Sequence, residues 1–277
     1  METVNLEQLL CIIQPFLMIG KNKLKLIKSL AQKKYRLKEQ SFLAEGDKIV
    51  LEVLDSGIKV KELFATPDFI SENKESLHNA THIIESSSAE IKKASLLQHP
   101  QNCLAICQLP TQEQLPSDPK GIFLFLDGIQ DPGNLGTIIR TCDWFGINDL
   151  FCSPDTADVF NPKVVQASMG SFSRVKTIYT SFDGLSAYLQ KKEIPVYGTF
   201  LEGKNIYTEN LPENALIVLG NEGRGIRKEV ADQISYPLNI PSFNQAEKKA
   251  ESLNVAVTAA IICNEFARKK VAIRNEN

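Results

Sequence analysis

The segment 121–129, GIFLFLDGI, is an apolar run of strand length, and ALIVLG at 215–220 repeats the pattern. Such strands have no polar face to offer water, so both faces must be covered, as in a parallel sheet packed between helices. The rest of the C-terminal half fits that requirement. Strand-like DLFCS, VKTIYT, IPVYGTF and YPLNIP alternate with helix-like LGTIIRTCDWFG, NPKVVQASMGSF, FDGLSAYLQKKE and the long SLNVAVTAAIICNEFARKK. Crossovers of this length join parallel strands, and the chain is predicted to be α/β. Ligands of such sheets sit beyond the carboxyl ends of the strands, which here are the loops 127–136, 199–205, 220–225 and 240–252.

Residues 21–110 alternate in the same way with shorter elements and predict a smaller α/β domain. The stretch LPTQEQLPSDPKG, with three prolines and no apolar periodicity, supplies a linker at 111–120. The larger domain then runs over 121–277, and 1–20 is an extension whose first 17 residues are expected to add nothing to the core. A chain of 277 residues is long enough for two such cores.

The net charge of −2 does not advertise a polyanionic partner, but the charge is unevenly spread. Between Lys21 and Lys38 lie eight basic residues and no acidic one. Leu24, Ile27 and Ala31 keep a helical spacing, so the run is expected to form one amphipathic helix with its lysines in solvent. The apolar stretch from Leu9 to Ile19 lacks a basic flank, is broken by Gln14 and Pro15, and is too short to span a bilayer, so neither export nor a membrane is expected. Six cysteines without a CxxC pair, and only three histidines, argue against a metal site and for reduced thiols of a cytoplasmic protein.

Three strings carry polar residues at the predicted loop positions. In DGIQDPGNLGTIIR, from Asp127 to Arg140, a buried strand opens into a glycine-containing turn and a helix start, which suits an anion or a polar ligand. A dinucleotide loop competes with this reading, because Asp155 stands 19 residues past Gly136, where a ribose-binding acid is expected. The spacing, however, is GxxG without GxG. The blander roles are a helix N-cap for Asn134 and a surface ion pair for Arg140. LGNEGRGI, 219–226, packs three glycines into one turn with Glu222 at its tip. In ESLNVAV, 251–257, Ser252 reads as the N-cap of the last helix.

Taken together and in this order, DPGNLGTIIRTCDWFG, LIVLGNEGRGI and LNIPSFNQAEKKAESLNVAVTAAI resemble the three motifs of the SpoU-type RNA ribose methyltransferases of the SPOUT superfamily. FLAEGDKIVLEVL after a basic helix resembles the L30e-like substrate-binding domain that precedes many of them. The resemblance implies a C-terminal sheet with a deep trefoil knot, S-adenosylmethionine held largely by backbone at Thr199, Gly220, Ile240 and Leu253, and a homodimer with its active site at the subunit interface. It places Asn134, Arg140, Glu222, Ser252 and Asn254 around the reacting centre, with Asn134 orienting Arg140. RNA is the implied partner, ribosomal or transfer, with Lys21, Lys25, Lys28 and Lys33 facing it.

In the reaction so implied, a ribose 2′-hydroxyl loses its proton as it attacks a methyl carbon in line. Arg140 is then either the base or an electrostatic clamp on the alkoxide and a phosphate. The sequence departs from the family between Ile240 and Ser252, where SFNQAEKKAE is longer, lacks glycine and carries Lys248 and Lys249. The alternative of another class is a non-catalytic RNA-binding protein with a degenerate second domain.

Overall fold

The computed structural model describes residues 13–14, 18–111, 115–246, 248 and 250–276. The chain divides into two compact units, residues up to 111 together with 158–173, and 112–157 together with 174 onward.

In the first unit, β1 (Ile13–Gln14), β2 (Ser41–Glu45), β3 (Val60–Ala65), β4 (Ile83–Glu85) and β5 (Cys103–Gln108) form a sheet in the order β1-β4-β3-β5-β2. It is mixed: β5 runs antiparallel to β2 and β3, whereas β3 and β1 run parallel to β4. Ile13 and Gln14 thus add an edge strand; the rest of the extension's first 17 residues lie outside the described residues. Helices α1 (Lys21–Ser29), α2 (Lys33–Glu39), α3 (Asp47–Asp55), α4 (Pro67–Glu72) and α5 (Ser88–Ala94) complete this part of the unit. The last has a capping box, Ser87 accepting from the Glu90 amide while the Glu90 carboxylate accepts from that of Ser87.

The basic run is two helices, not the single one its periodicity predicts, and Ala31 is exposed at the break. Arg36 is the reason. Only 2% exposed, its guanidinium donates to the carbonyls of Leu30 and Ala31 at 2.8 and 3.0 Å and pairs with Asp158 at 2.5 Å. A buried guanidinium in place of a solvated one ties α2 to the carbonyls that end α1. Lys21, Lys25, Lys28 and Lys33 are all exposed, with Lys28 also donating to the carbonyl of Ser95.

Asp158 opens the segment 158–173, which includes α6 (Pro162–Ser168) and which sequence position alone assigns to the larger domain. Its packing lies in the first unit. Phe160 and Phe172 stand 4.7 and 5.7 Å from Phe42 on β2, and the Gln166 amide donates to the carbonyl of Glu45 at 2.7 Å.

The second unit holds β6 (Ile122–Asp127), β7 (Asp149–Cys152), β8 (Lys176–Tyr179), β9 (Val196–Asn205), β10 (Ala215–Gly220) and β11 (Tyr236–Asn239). They form a sheet in the order β11-β9-β10-β6-β7-β8, with every pairing parallel, as the apolar runs require. Its helices are α7 (Pro132–Trp144), α8 (Phe182–Gln190), α9 (Lys228–Ala231) and α10 (Val255–Glu276). Phe123, Phe125, Phe151, Leu216 and Val218 from the central strands form the core. The chain leaves β6 toward β7 and β8, then crosses to β9 and β10, so the strand order reverses between β10 and β6 and a crevice opens at their carboxyl ends. Of the expected linker, 112–114 lie outside the described residues, but Leu115 packs on this core and Pro116 accepts a hydrogen bond from the Tyr188 hydroxyl. The five described cysteines are free and buried, and burial pushes their thiols up, that of Cys263 to about 12, so none is a ready nucleophile. Among the described residues no helix is long and apolar enough to cross a membrane.

Removing Arg36 strands the Asp158 carboxylate and two carbonyls. Arg36→Ala is therefore expected to lower the stability of the first unit by about 3 kcal/mol, read from urea unfolding; a midpoint within error of wild type would show that the pair does not hold the helix break.

Candidate active site

Register places Asp127 at the end of β6 directly beside Gly220 at the end of β10. Beyond Asp127 the chain turns at Gly128, whose φ of +74° suits a residue without Cβ. Helix α7 then starts on Asp131, whose carboxylate accepts the amide N–H of Asn134 at 2.8 Å, with Pro132 in the first turn. Asp131 is the cap, and Asn134 sits one turn in with its side chain free for other work. Leu135, Ile138, Ile139 and Cys142 are the buried, apolar side of the helix, next to the face that carries Asn134.

Beyond Gly220 the chain makes a closed turn in which Asn221 and Gly225 exchange backbone hydrogen bonds at 3.0 and 2.9 Å. A Cβ on Gly220 would lie 2.3 Å from the backbone of Gly225 and Ile226, so only glycine lets the turn fold back on the strand end. Glu222 stands at the exposed tip.

The third element is the start of α10. Its N-cap is Asn254, two residues later than the sequence suggests. The side-chain oxygen of Asn254 accepts the amides of Ala256 and Val257 at 2.9 and 3.3 Å, while Ser252 is exposed and makes no hydrogen bond among the described residues.

These three elements meet in one hydrogen-bonded chain. Asn254 donates through Nδ2 to Oδ1 of Asn134 at 2.9 Å, and Asn134 donates through its own Nδ2 to Oε1 of Glu222 at 2.9 Å. The Asn134 amide is thereby fixed in one orientation, its oxygen toward the last helix and its nitrogen toward the turn.

Arg140 is not part of this chain. It is exposed, without a hydrogen bond or ion pair among the described residues, about 9 Å further along α7 and about 120° round it from Asn134. The expected contact by which Asn134 orients Arg140 is therefore absent; Asn134 is already committed to Glu222 and Asn254 on another face of the helix.

Three of the positions expected to hold a cofactor lie on or just after three adjacent strands. Thr199 lies on β9, its hydroxyl donating to the carbonyl of Val218 at 3.3 Å; Gly220 ends β10, and Ile240 follows β11. Between β9 and β11 the register jumps from Gly198 opposite Pro237 to Lys204 opposite Leu238. Residues 199–203 thus bulge out of the ladder, and Asn239 holds the bulge by donating to the carbonyls of Phe200 and Leu201 at 3.3 and 2.6 Å. Leu201 and Leu253 are exposed apolar side chains. Of the lengthened loop after Ile240, Lys248 is exposed and Lys249 lies outside the described residues.

Sequence reading missed the support beneath these loops. Asp127 is 1% exposed and takes the backbone N–H and the Nε of Arg227, each at 2.8 Å, together with its Nη2. A charged residue closing an apolar strand was the available signal. Nearby, Asp155 accepts from the Ser153 hydroxyl at 2.6 Å, which with Arg227 holds its carboxyl below the usual range. It serves this loop rather than a dinucleotide ribose.

Comparison with known proteins identifies the family. Residues 121–264 match the SpoU rRNA Methylase family, and residues 21–105 match the MRM3-like substrate binding domain. The chain is 34% identical over 237 residues to the 23S rRNA (guanosine(2553)-2'-O)-methyltransferase RlmP of Bacillus subtilis, covering 85% of this chain and 92% of that protein. Among solved structures it resembles an RNA methyltransferase of the TrmH family from Porphyromonas gingivalis, with 41% identity, a TM-score of 0.83 and coverage of 91% and 100%. It also resembles the AdoMet-bound rRNA methyltransferase from Sinorhizobium meliloti, with 27% identity, a TM-score of 0.81 and coverage of 92% and 98%.

Asn254 has two separable jobs. Asn254→Ala is expected to cost about 1 kcal/mol in thermal or urea unfolding through loss of the cap, while Asn254→Ser keeps a capping oxygen, stays near wild-type stability and loses only the bond to Asn134. Equal stability of the two variants would contradict the cap assignment.

Proposed function

The chain belongs to the SpoU rRNA Methylase family, and from that membership we propose that it transfers a methyl group from S-adenosylmethionine to a ribose 2′-hydroxyl of RNA, ribosomal RNA before transfer RNA. The observation that carries the reading is the chain Asn254–Asn134–Glu222, because three segments far apart in sequence converge on one set of polar atoms. A degenerate, non-catalytic domain has no use for that convergence.

The residues present suit the methyl donor. Thr199 on β9, the end of β10 and Ile240 after β11 offer backbone groups and an apolar side chain, Leu253 before α10 is a further exposed apolar side chain, and none of the four is a carboxylate. Such a surface fits an adenosine and leaves a sulfonium without a competing ion pair. When bound, S-adenosylmethionine supplies an electrophilic methyl carbon. The protein's part is to deliver the ribose in line and to stabilise the charge that grows on its oxygen. Glu222 and Ser252 position the ribose hydroxyls beside the fixed Asn134 amide.

Arg140 is the electrostatic clamp. A guanidinium presents only N–H donors and no lone pair with which to take a proton, which suits it to hold an alkoxide or a phosphate. Because it faces away from Asn134 of its own chain, it acts in the site of a second copy. A groove of about 630 Å³ between α7 and α10, lined by Asn134, Thr137, Thr141, Tyr207, Val257 and Ile261, is where that copy docks to form a homodimer. The trefoil knot implied by the motifs is part of the same reading: after β11 the chain returns to place Asn254 against Asn134. The MRM3-like domain reads the RNA with Lys21, Lys25, Lys28 and Lys33, and the reaction runs in the cytoplasm, where the buried free cysteines stay reduced.

The test is methyl transfer from S-adenosylmethionine to purified ribosomal RNA, with 2′-O-methylation mapped by nucleotide. Arg140→Ala is expected to lower turnover by about 10² to 10³ while leaving S-adenosylmethionine binding intact in calorimetry. Asn254→Ala, which breaks the polar chain, is expected to be inactive as well, and a mixture of the two variants should recover about a quarter of wild-type activity, since mixed dimers keep one intact site. No recovery would place Arg140 in its own chain's site. Replacing the four lysines with alanine should lower the log–log salt slope of RNA binding by about 0.7 for each phosphate no longer neutralised, and an unchanged slope would return α1 and α2 to a solvated surface.

A further inference from the structure

Glu222 is the one carboxylate in the hydrogen-bonded chain, and it stands on an exposed turn. A side chain there holds a fixed position only if the turn beneath it is held. The turn is anchored at both ends onto the loop that follows β6. At its start, Asn221 donates through Nδ2 to the carbonyl of Gly128 at 2.6 Å and accepts through Oδ1 from the amides of Gly223 and Arg224 at 3.0 and 3.1 Å. At its end, Arg227 grips Asp127 with backbone and side chain together.

The second anchor is the stronger of the two by chemistry. Asp127 is a fully buried carboxylate at the sheet's switch point, and its described partners all come from Arg227. A buried charge with one counter-ion is held tightly, because parting the two leaves it unsolvated. The guanidinium is flanked further by Asp155 at 3.6 Å and Glu229 at 3.9 Å. Asp155 itself is fixed by Ser153, whose hydroxyl also accepts the amide of Gly128 at 2.8 Å. The two loops that carry Asn134 and Glu222 are thus riveted by this ion pair beneath them, with the Asn221–Gly128 bond as the lesser anchor.

We propose that Arg227, through its pair with Asp127, is a positioning residue that sets Glu222 against Asn134 and so fixes the polar face offered to the ribose. The inference rests on the reading of the site as a methyltransferase centre for its kinetic consequence, but not for its structural one. Arg227 touches none of the reacting groups. With three carboxylates around it, it is not a phosphate site, and its effect passes through Glu222.

The experiment compares wild type with Arg227→Gln, Arg227→Lys, Glu222→Gln and the Arg227→Gln/Glu222→Gln double variant. The first readout needs no activity: the side-chain amide signals of Asn134 in a ¹H–¹⁵N spectrum, identified by their loss in Asn134→Asp. In Arg227→Gln these signals should move toward their positions in Glu222→Gln; signals left at the wild-type positions overturn the proposal. The second readout is kinetic. Arg227→Gln should lower kcat about ten- to hundredfold with little change in KM for RNA, and should add almost nothing in the Glu222→Gln background. Additive losses overturn the proposal, since Arg227 would then act by another route. Arg227→Lys keeps the buried charge paired and guards against simple misfolding; it should recover part of kcat and part of the Asn134 shift, and a folded Lys variant that recovers neither counts against the proposal. Should wild type transfer no methyl group, the reaction assignment fails, while the amide signals still decide the positioning claim.

Discussion

Parallel pairing of β6 with β10 puts Asp127 beside Gly220, and the candidate site follows from that one register. The two strands end level, their chains diverge, and the loops above them face each other across the crevice that a reversal of strand order leaves. Both strands are buried, so the register is set by packing on two faces, and a slip of one residue would misplace Phe123, Phe125, Leu216 and Val218 in the core. The Asn254–Asn134–Glu222 chain inherits its geometry from this rigid base. Flexible loops alone would not hold amide groups at 2.9 Å.

The same logic operates below the loops. A carboxylate that closes a buried strand must find a cation, and Arg227 supplies one from the far side of the turn that carries Glu222. Gly220 admits that turn by having no side chain. Charge and steric allowance thus cooperate: one draws the turn down onto the sheet end, and the other leaves room for it. In the first unit Arg36 plays a comparable part, since its buried guanidinium breaks a basic run into two helices and draws in Asp158.

Much of this was legible in the residues. The doubly buried strands in GIFLFLDGI and ALIVLG required a parallel sheet, and the segments that follow their carboxyl ends are where Asn134 and Glu222 lie, with Asn254 after β11. The three motifs in order carried the family. Less legible were choices between near-equivalent local options. Asp131 caps α7 because Pro132 fits the first helical turn, and Asn254 caps α10 because its oxygen is in reach of two amides; a sequence with several good capping residues does not say which is used. Periodicity also failed at Ala31, because helical spacing is blind to a buried arginine that competes for the carbonyls at the break.

By itself the sequence determined the fold class, the order of the elements, the family and the short list of polar residues, because those depend on local pattern and on what a strand or a turn can bury. Only the tertiary structure decided which of those residues touch. Asn134 reaches Glu222 and Asn254 across 88 and 120 residues, and Arg140, six residues from Asn134, reaches neither. Hydrogen bonds act over about 3 Å, and which groups come that close is settled by sheet register and helix phase, not by distance along the chain.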